Sequence, residues 1–270
     1  MSDTTVIQLP DGLKFKIRSD TQSGDERYIL ERLVSGEEYT PKGFEIHESD
    51  TIIDIGAHIG RFALYAASLA PRGILYAFEP QPENMLKLKE NIGLNGLQNI
   101  VVSANAIADS TKKILLHTGG DSARSSLYGE SQESVAVDCI PLVEVFDKNS
   151  IAQCAFLKSD CEGAEFEIFF ALPTRYFKKI DKIVLEFHDH LSAGKKMIDL
   201  LHLLTSEGYV LRARWGAFYT GLLFARRVSG WRARTGVLLL RNYFFVYGVD
   251  FSNLLLERLV ARFLSPRGVM

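Results

Sequence analysis

"TIIDIGAHIGRF", residues 51–62, decides how the chain is read. A β-branched run carries an acid, Asp54, near its end; a loop framed by Gly56 and Gly60 follows, and a helical run begins. Strand, glycine turn and helix are the layout of a nucleotide site, where ligands bind beyond the carboxyl ends of parallel strands. Yet the glycines fall as G-x-x-x-G rather than G-x-G-x-x-G, and an acid stands just before them. A carboxylate beside a pyrophosphate would repel it. The turn therefore suits a ligand without phosphate, or else a tight β–α connection in which Asp54 caps the helix.

The same rhythm continues outward. "ILYAF" (74–78), "IVVSA" (100–104), "AFLKS" (155–159), "KIVLEF" (182–187) and "YVLRA" (209–213) read as short buried strands. Helical stretches at 59–70, 82–94, from Glu165 and over 194–207 separate them. Strands alternating with helices of this length predict a mostly parallel sheet covered on both faces. "GLLFAR" (221–226) is expected to add a last antiparallel strand at the edge. An insertion at about 112–150 holds a strand pair, "ILLH" and "VAVDC", around the loop "TGGDSARSS". Ahead of the core, "VIQLPDGLKFKIR" (6–18) alternates about a Pro-Asp-Gly turn as a hairpin does, and a helix is expected at 25–35. The expected division is a hairpin-and-helix cap over 1–50, a core over 51–228 and an appendage over 229–270.

Composition narrows the function. A net charge of −2 argues against a nucleic-acid partner bound through phosphate neutralisation. Cys139, Cys154 and Cys161 form no CxxC pair or zinc spacing and suit a reducing compartment. The first residues lack the features of a signal peptide, and no apolar run reaches the ~18–20 residues of a membrane span. The expected setting is the cytoplasm. The tail from 229 differs: it holds six arginines and no lysine, interleaved with "VLLL" and "YFFVY". It reads as a helical appendage packed on the core or on a second subunit, or as an interfacial helix on an anionic membrane.

Glu79, in "FEPQP", ends the second core strand twenty-five residues after Asp54. An acid about 20 residues past a glycine turn is placed to hold a ribose, since its two oxygens accept hydrogen bonds from both hydroxyls. Asp54 then asks for a cationic nucleoside, and S-adenosyl-L-methionine carries a sulfonium and an ammonium but no phosphate. A solvated strand-end acid is the plain alternative for Glu79.

On "DIGAHIGRF", "AFEPQPENMLKLKENIGLNG", "NAIAD", "VDCIPL" and "FLKSDCEGAEFEI", the sequence resembles the class I S-adenosylmethionine-dependent methyltransferases of the FkbM type. The last stretch carries Lys158-Ser159-Asp160-Cys161-Glu162-Gly163-Ala164-Glu165, matching the family pattern Lys-x-Asp-x-Glu-Gly-x-Glu. The resemblance implies a Rossmann-like α/β fold. It also implies that Asp54, Gly56, Ala57, His58 and Gly60 hold the methionyl end. Glu79 and Pro80 would then hold the ribose, Asn105, Ala106 and Ile107 would line the adenine, and Asp160 would lie beside the departing methyl. It implies methylation of hydroxyls on sugars, glycolipids or natural products. His58 departs from the pattern, standing where the family often has Asn.

Transfer to a hydroxyl needs alignment of the acceptor and removal of its proton. Asp160, Glu162, His188 and His58 are the candidate bases, while Asp160, Glu162 and Glu165 could equally favour a helix N-terminus. Glu186, His188, Asp189 and His190 in "LEFHDH" have metal-ligand chemistry with Asp160, but no fixed metal spacing, so no metal is assigned. Lys112, Lys113 and Arg124 suit either an anionic acceptor or plain solvation. Tyr39 could close over the cofactor or pack in the core. The rival functions are an NAD-dependent oxidoreductase and a non-catalytic nucleoside-binding protein.

Overall fold

The computed structural model describes residues 4–9, 11–18, 38–117, 134–161, 163–188, 197–215 and 220–228. The expected helix at 25–35, Arg124, Glu162, Asp189, His190 and the tail from 229 lie outside them.

Strands β1 (Thr4–Gln8) and β2 (Lys14–Arg18) form the predicted antiparallel hairpin. Gly12 takes a left-handed conformation in its turn, and Asp11 Oδ1 accepts the Leu13 N–H at 3.1 Å. The core runs through β3 (Thr51–Ile55), α1 (Arg61–Leu69), β4 (Ile74–Phe78), α2 (Pro82–Asn95) and β5 (Ile100–Ser103). After β6 (Ala106–Ala108), β7 (Lys112–His117), β8 (Ser134–Pro141) and α3 (Leu142–Lys148), it resumes at β9 (Phe156–Ser159). Then come α4 (Glu165–Ala171), α5 (Thr174–Phe177), β10 (Lys182–His188), α6 (Met197–Ser206), β11 (Tyr209–Trp215) and β12 (Thr220–Arg227).

Seven strands make one sheet in the order β11-β12-β10-β9-β3-β4-β5. β10, β9, β3, β4 and β5 pair in parallel, and β12 runs antiparallel to both neighbours. This is a Rossmann-like α/β fold, with β3 at the centre and its crossovers reversing on either side. One expectation needs correcting. β12 is antiparallel as predicted, but it inserts between β10 and β11, so β11 is the edge strand. The insertion pair is present: β7 and β8 are antiparallel, and β6 joins β8 in a separate small sheet.

Alternation along the strands splits the interior in two. Ile53, Ile55, Leu157, Leu185 and Phe187 meet Phe146, Phe169, Leu200 and Tyr209 on one face. Ile52, Phe156 and Val184 meet Phe15, Phe62, Ala63 and Leu88 on the other, so the hairpin, α1 and α2 share that side. Fully buried Ala63, Ala66 and Ala67 let α1 lie close to the sheet. Pro82 opens α2 and Gly96, left-handed, closes it, the asymmetry helix ends favour. Asn95 of α2 trades hydrogen bonds with the Lys14 backbone at 2.9 and 2.7 Å. Arg61, 4% exposed, pairs with Asp11 at 2.8 Å, so both core helices hold the hairpin. Among the described residues, no helix is long and apolar enough to cross a membrane.

Candidate active site

The carboxyl ends of β3, β4 and β9 lie side by side because those strands are parallel neighbours. Asp54 stands in register with Lys158, and Ile55 with both Phe78 and Ser159. The three acids Asp54, Glu79 and Asp160 therefore gather at one end of the sheet.

The glycine loop crosses that end. Gly56 and Ala57 both donate to the Phe78 carbonyl at 3.0 Å, while Asp160 N–H donates to the Ile55 carbonyl at 3.0 Å. Gly56 has φ +75°, and a Cβ there would sit 1.8 Å from the Asp160 carbonyl oxygen. Only glycine permits that approach. Gly60, φ +99°, precedes α1, and a Cβ on it would strike Leu64 and Leu88 at 2.6 Å. His58 is left-handed as well, at φ 52°. Asn, Asp and His are the non-glycine residues that tolerate this region best. The His that replaces the family's Asn thus meets a backbone demand that both residues satisfy.

Glu79 is nearly buried, at 6% exposure. Its Oε2 accepts the His58 N–H at 2.8 Å and its Oε1 accepts the Gln81 N–H at 3.0 Å. Burial pushes its carboxyl up to about 7, against the opposing pull of those two bonds. Each oxygen has a further lone pair for a ligand hydroxyl. Asn84 steadies Gln81, donating to its Oε1 at 2.7 Å.

Asp54 is fully buried. Lys158 Nζ lies 3.2 Å from its Oδ1, an ion pair without hydrogen-bond alignment, and Oδ2 meets no donor among the described residues. Burial raises the Asp54 carboxyl, and Lys158 opposes the rise. Lys158 also donates to the Gly56 carbonyl at 2.7 Å and stands 3.9 Å from Asp160 Oδ2. Burial alone would lower its ammonium, but Asp54 and Asp160 hold it above its usual value. The sequence reading gave Lys158 no role. Its signal was a lysine inside an apolar strand, two residues before an acid.

Asp160 is 27% exposed at the side chain and accepts a 3.5 Å hydrogen bond from the Tyr39 hydroxyl. Tyr39 is buried against Phe62, with ring centroids 5.5 Å apart, so it belongs to the core and to the site alike. Glu165 turns back to accept the Cys161 and Gly163 N–H groups at 2.9 and 3.0 Å, fixing the loop after Asp160. Beyond β5, Asn105 Oδ1 accepts the Ser103 hydroxyl at 2.9 Å, while Ser103 O accepts the Glu79 N–H at 3.0 Å. Ala106 and Ile107 belong to β6, with Ile107 buried. His188 ends β10, its backbone opposite Thr220, and its side chain lies outside the described residues. Among the described residues, no group of three or more His, Cys, Asp or Glu stands as a metal site.

The donor set fits S-adenosylmethionine. A buried carboxylate oxygen without a donor suits an ammonium, and a carboxylate with spare lone pairs suits vicinal hydroxyls.

The family model gives the same direction. The Methyltransferase FkbM domain matches residues 54–211, more than half of the chain. The 31-O-demethyl-FK506 methyltransferase FkbM of Streptomyces tacrolimicus is 23% identical over 266 residues, covering 85% of this chain and 100% of that protein. The hexuronic acid methyltransferase AglP of Haloferax volcanii is 23% identical over 179 residues, covering 63% of this chain and 73% of that one. Among solved structures, magnesium protoporphyrin IX methyltransferase of Synechocystis PCC 6803 with bound SAM aligns at TM-score 0.44. It is 11% identical, with 78% of this chain and 86% of that chain covered.

Proposed function

Because the chain belongs to the FkbM methyltransferase family, we propose that it transfers a methyl group from S-adenosylmethionine to a hydroxyl oxygen of a sugar-containing, lipid-linked or natural-product acceptor. Methyl transfer from S-adenosylmethionine comes with the family; the hydroxyl and the acceptor class are the proposed part. Relatives named for 31-O-demethyl-FK506 and for a hexuronic acid are compatible with it.

The observation that carries the reading is the convergence of Asp54, Glu79 and Asp160 at the ends of adjacent parallel strands. Glu79 would accept the ribose hydroxyls on its remaining lone pairs. Asp54 Oδ2 would take the methionyl ammonium, with Gly56, Ala57, His58 and Gly60 letting the backbone close around it. Pro80, Asn105, Ala106 and Ile107 would border the nucleoside. When bound, the cofactor supplies a methyl on a cationic sulfur. Asp160, partly open to solvent, would take the acceptor's proton as general base. Glu162 and His188 are the other candidates for that proton. The acceptor would reach the site past the insertion, about 112–150, and the tail, 229–270, would serve as a membrane or subunit contact.

Binding is tested by thermal melting with S-adenosylhomocysteine and with NADH. Stabilisation by the first alone is expected; stabilisation by NADH alone overturns the reading. For the tail, deletion of 229–270 is expected to abolish co-sedimentation with anionic vesicles, and unchanged co-sedimentation removes the membrane role.

A further inference from the structure

We propose that Lys158 is a positioning residue of the cofactor site: its ammonium fastens the Gly56 carbonyl to β9 and supplies the counter-charge that lets Asp54 sit fully buried with Oδ2 left for a ligand. The proposal rests on the cofactor reading above and adds a residue to it.

The geometry assigns the role. Lys158 is 5% exposed at the side chain, and its ammonium stands among three acceptors: the Gly56 carbonyl, Asp54 Oδ1 and Asp160 Oδ2. An ammonium is a point charge with three rotatable donors and serves acceptors spread around it, whereas a planar guanidinium favours two acceptors side by side. The Gly56 carbonyl belongs to the loop, so one side chain couples the loop's position to the charge of the acid preceding it. Asp54 faces Lys158 from β3, Asp160 from the end of β9, and Glu186 acts on it from β10. Lys158 in turn acts on Glu79 at the end of β4. The Tyr39 ring covers it at 5.7 Å from Nζ to centroid, and the Tyr39 hydroxyl feels Asp160, Glu186, Glu38 and Asp54.

Two acids and one base leave the triad with a single negative charge. Without Lys158, burial would drive Asp54 to protonate rather than carry an uncompensated charge in the interior, and protonation removes the acceptor an ammonium needs. Removing one partner of a buried ion pair is strongly destabilising, while removing both together is often close to neutral. That asymmetry separates a counter-charge from a space-filling side chain.

The test uses the full chain, with S-adenosylhomocysteine as the calorimetric probe. Lys158→Met is expected to weaken binding at pH 6.5 by at least about tenfold. The ratio of wild-type to variant affinity should then shrink as pH rises to 9, because an unpaired Asp54 binds its proton more tightly and regains charge only at higher pH. Taking the ratio cancels the titration of the ligand amine, and measuring both chains in a Glu79→Gln background removes that of Glu79, on which Lys158 also acts. A ratio that stays constant with pH, or a variant that binds as the wild type does, overturns the proposal. Melting temperatures give an independent arm that holds even if Lys158→Met is poorly folded: Asp54→Asn/Lys158→Met is expected to melt above Lys158→Met. A double variant no more stable than the single one overturns the counter-charge. A wild-type chain that ignores the probe overturns the cofactor reading instead, and the melting arm still decides the pairing.

Discussion

Glu79 accepts the backbone N–H of His58 at 2.8 Å, so the end of β4 is fastened to the left-handed residue in the middle of the glycine loop. Burial raises this carboxyl to about 7. Its contribution to stability is fully present below its ordinary value and is lost as pH rises through about 7. The ligand-free protein should therefore lose melting temperature between pH 5 and 7.5 more than Glu79→Gln does. Ribose binding needs the ionised form, so affinity for S-adenosylhomocysteine should rise by about tenfold per pH unit up to about 7 and then level. Calorimetry across that range checks it; a Glu79→Gln variant with the same pH profile as the wild type contradicts it.

Gly56→Ala meets two obstacles at once. Its φ of +75° disfavours a side chain, and the new Cβ would strike a backbone oxygen rather than a movable side chain. The expected cost is at least about 2 kcal/mol of stability. Denaturant unfolding measures it, and a variant within about 0.5 kcal/mol of wild type would show that the loop can shift freely.

Asp160→Ala separates chemistry from binding. Loss of a general base lowers turnover by roughly 10²–10⁴, while the Glu79 and Asp54 contacts would keep cofactor affinity within about tenfold. Single-turnover kinetics with a responsive acceptor reads the first and calorimetry the second. Near-normal turnover would move the proton to Glu162 or His188.

Asp11→Ala takes the carboxylate from the buried Arg61 guanidinium. The pair is only partly buried on the Asp11 side, so the expected loss is about 1–3 kcal/mol. Hydrogen exchange should quicken first at hairpin amides such as Val6 and Phe15, ahead of β3 and β9. Uniform quickening would mean that the hairpin is not a separate unit of stability.

The sheet was legible in the sequence because β4 is a continuous apolar run and β3 and β10 are apolar over most of their length, as a doubly covered sheet needs, and the predicted strands fall within a residue or two of the observed ones. The place of β12 was not legible. Its seven-residue pairing with β10, from Lys182↔Arg226 to His188↔Thr220, is a register between distant segments, and no local pattern encodes it. Lys158 escaped for the same reason. Its partnership with Asp54 exists only once β3 and β9 are known to be neighbours in that register. His58 shows the converse: the residue is plain in the sequence, but its left-handed backbone, which explains why His can replace Asn, is a property of the folded loop.

The most direct test of methyl transfer to a hydroxyl is an assay with labelled S-adenosylmethionine over extracts of the native host, followed by mass identification of the product. The predicted result is a labelled methyl ether that forms with the wild-type chain and is lost with Asp160→Ala. Label recovered on nitrogen or as an ester, or no transfer by a chain that binds the cofactor, would contradict it.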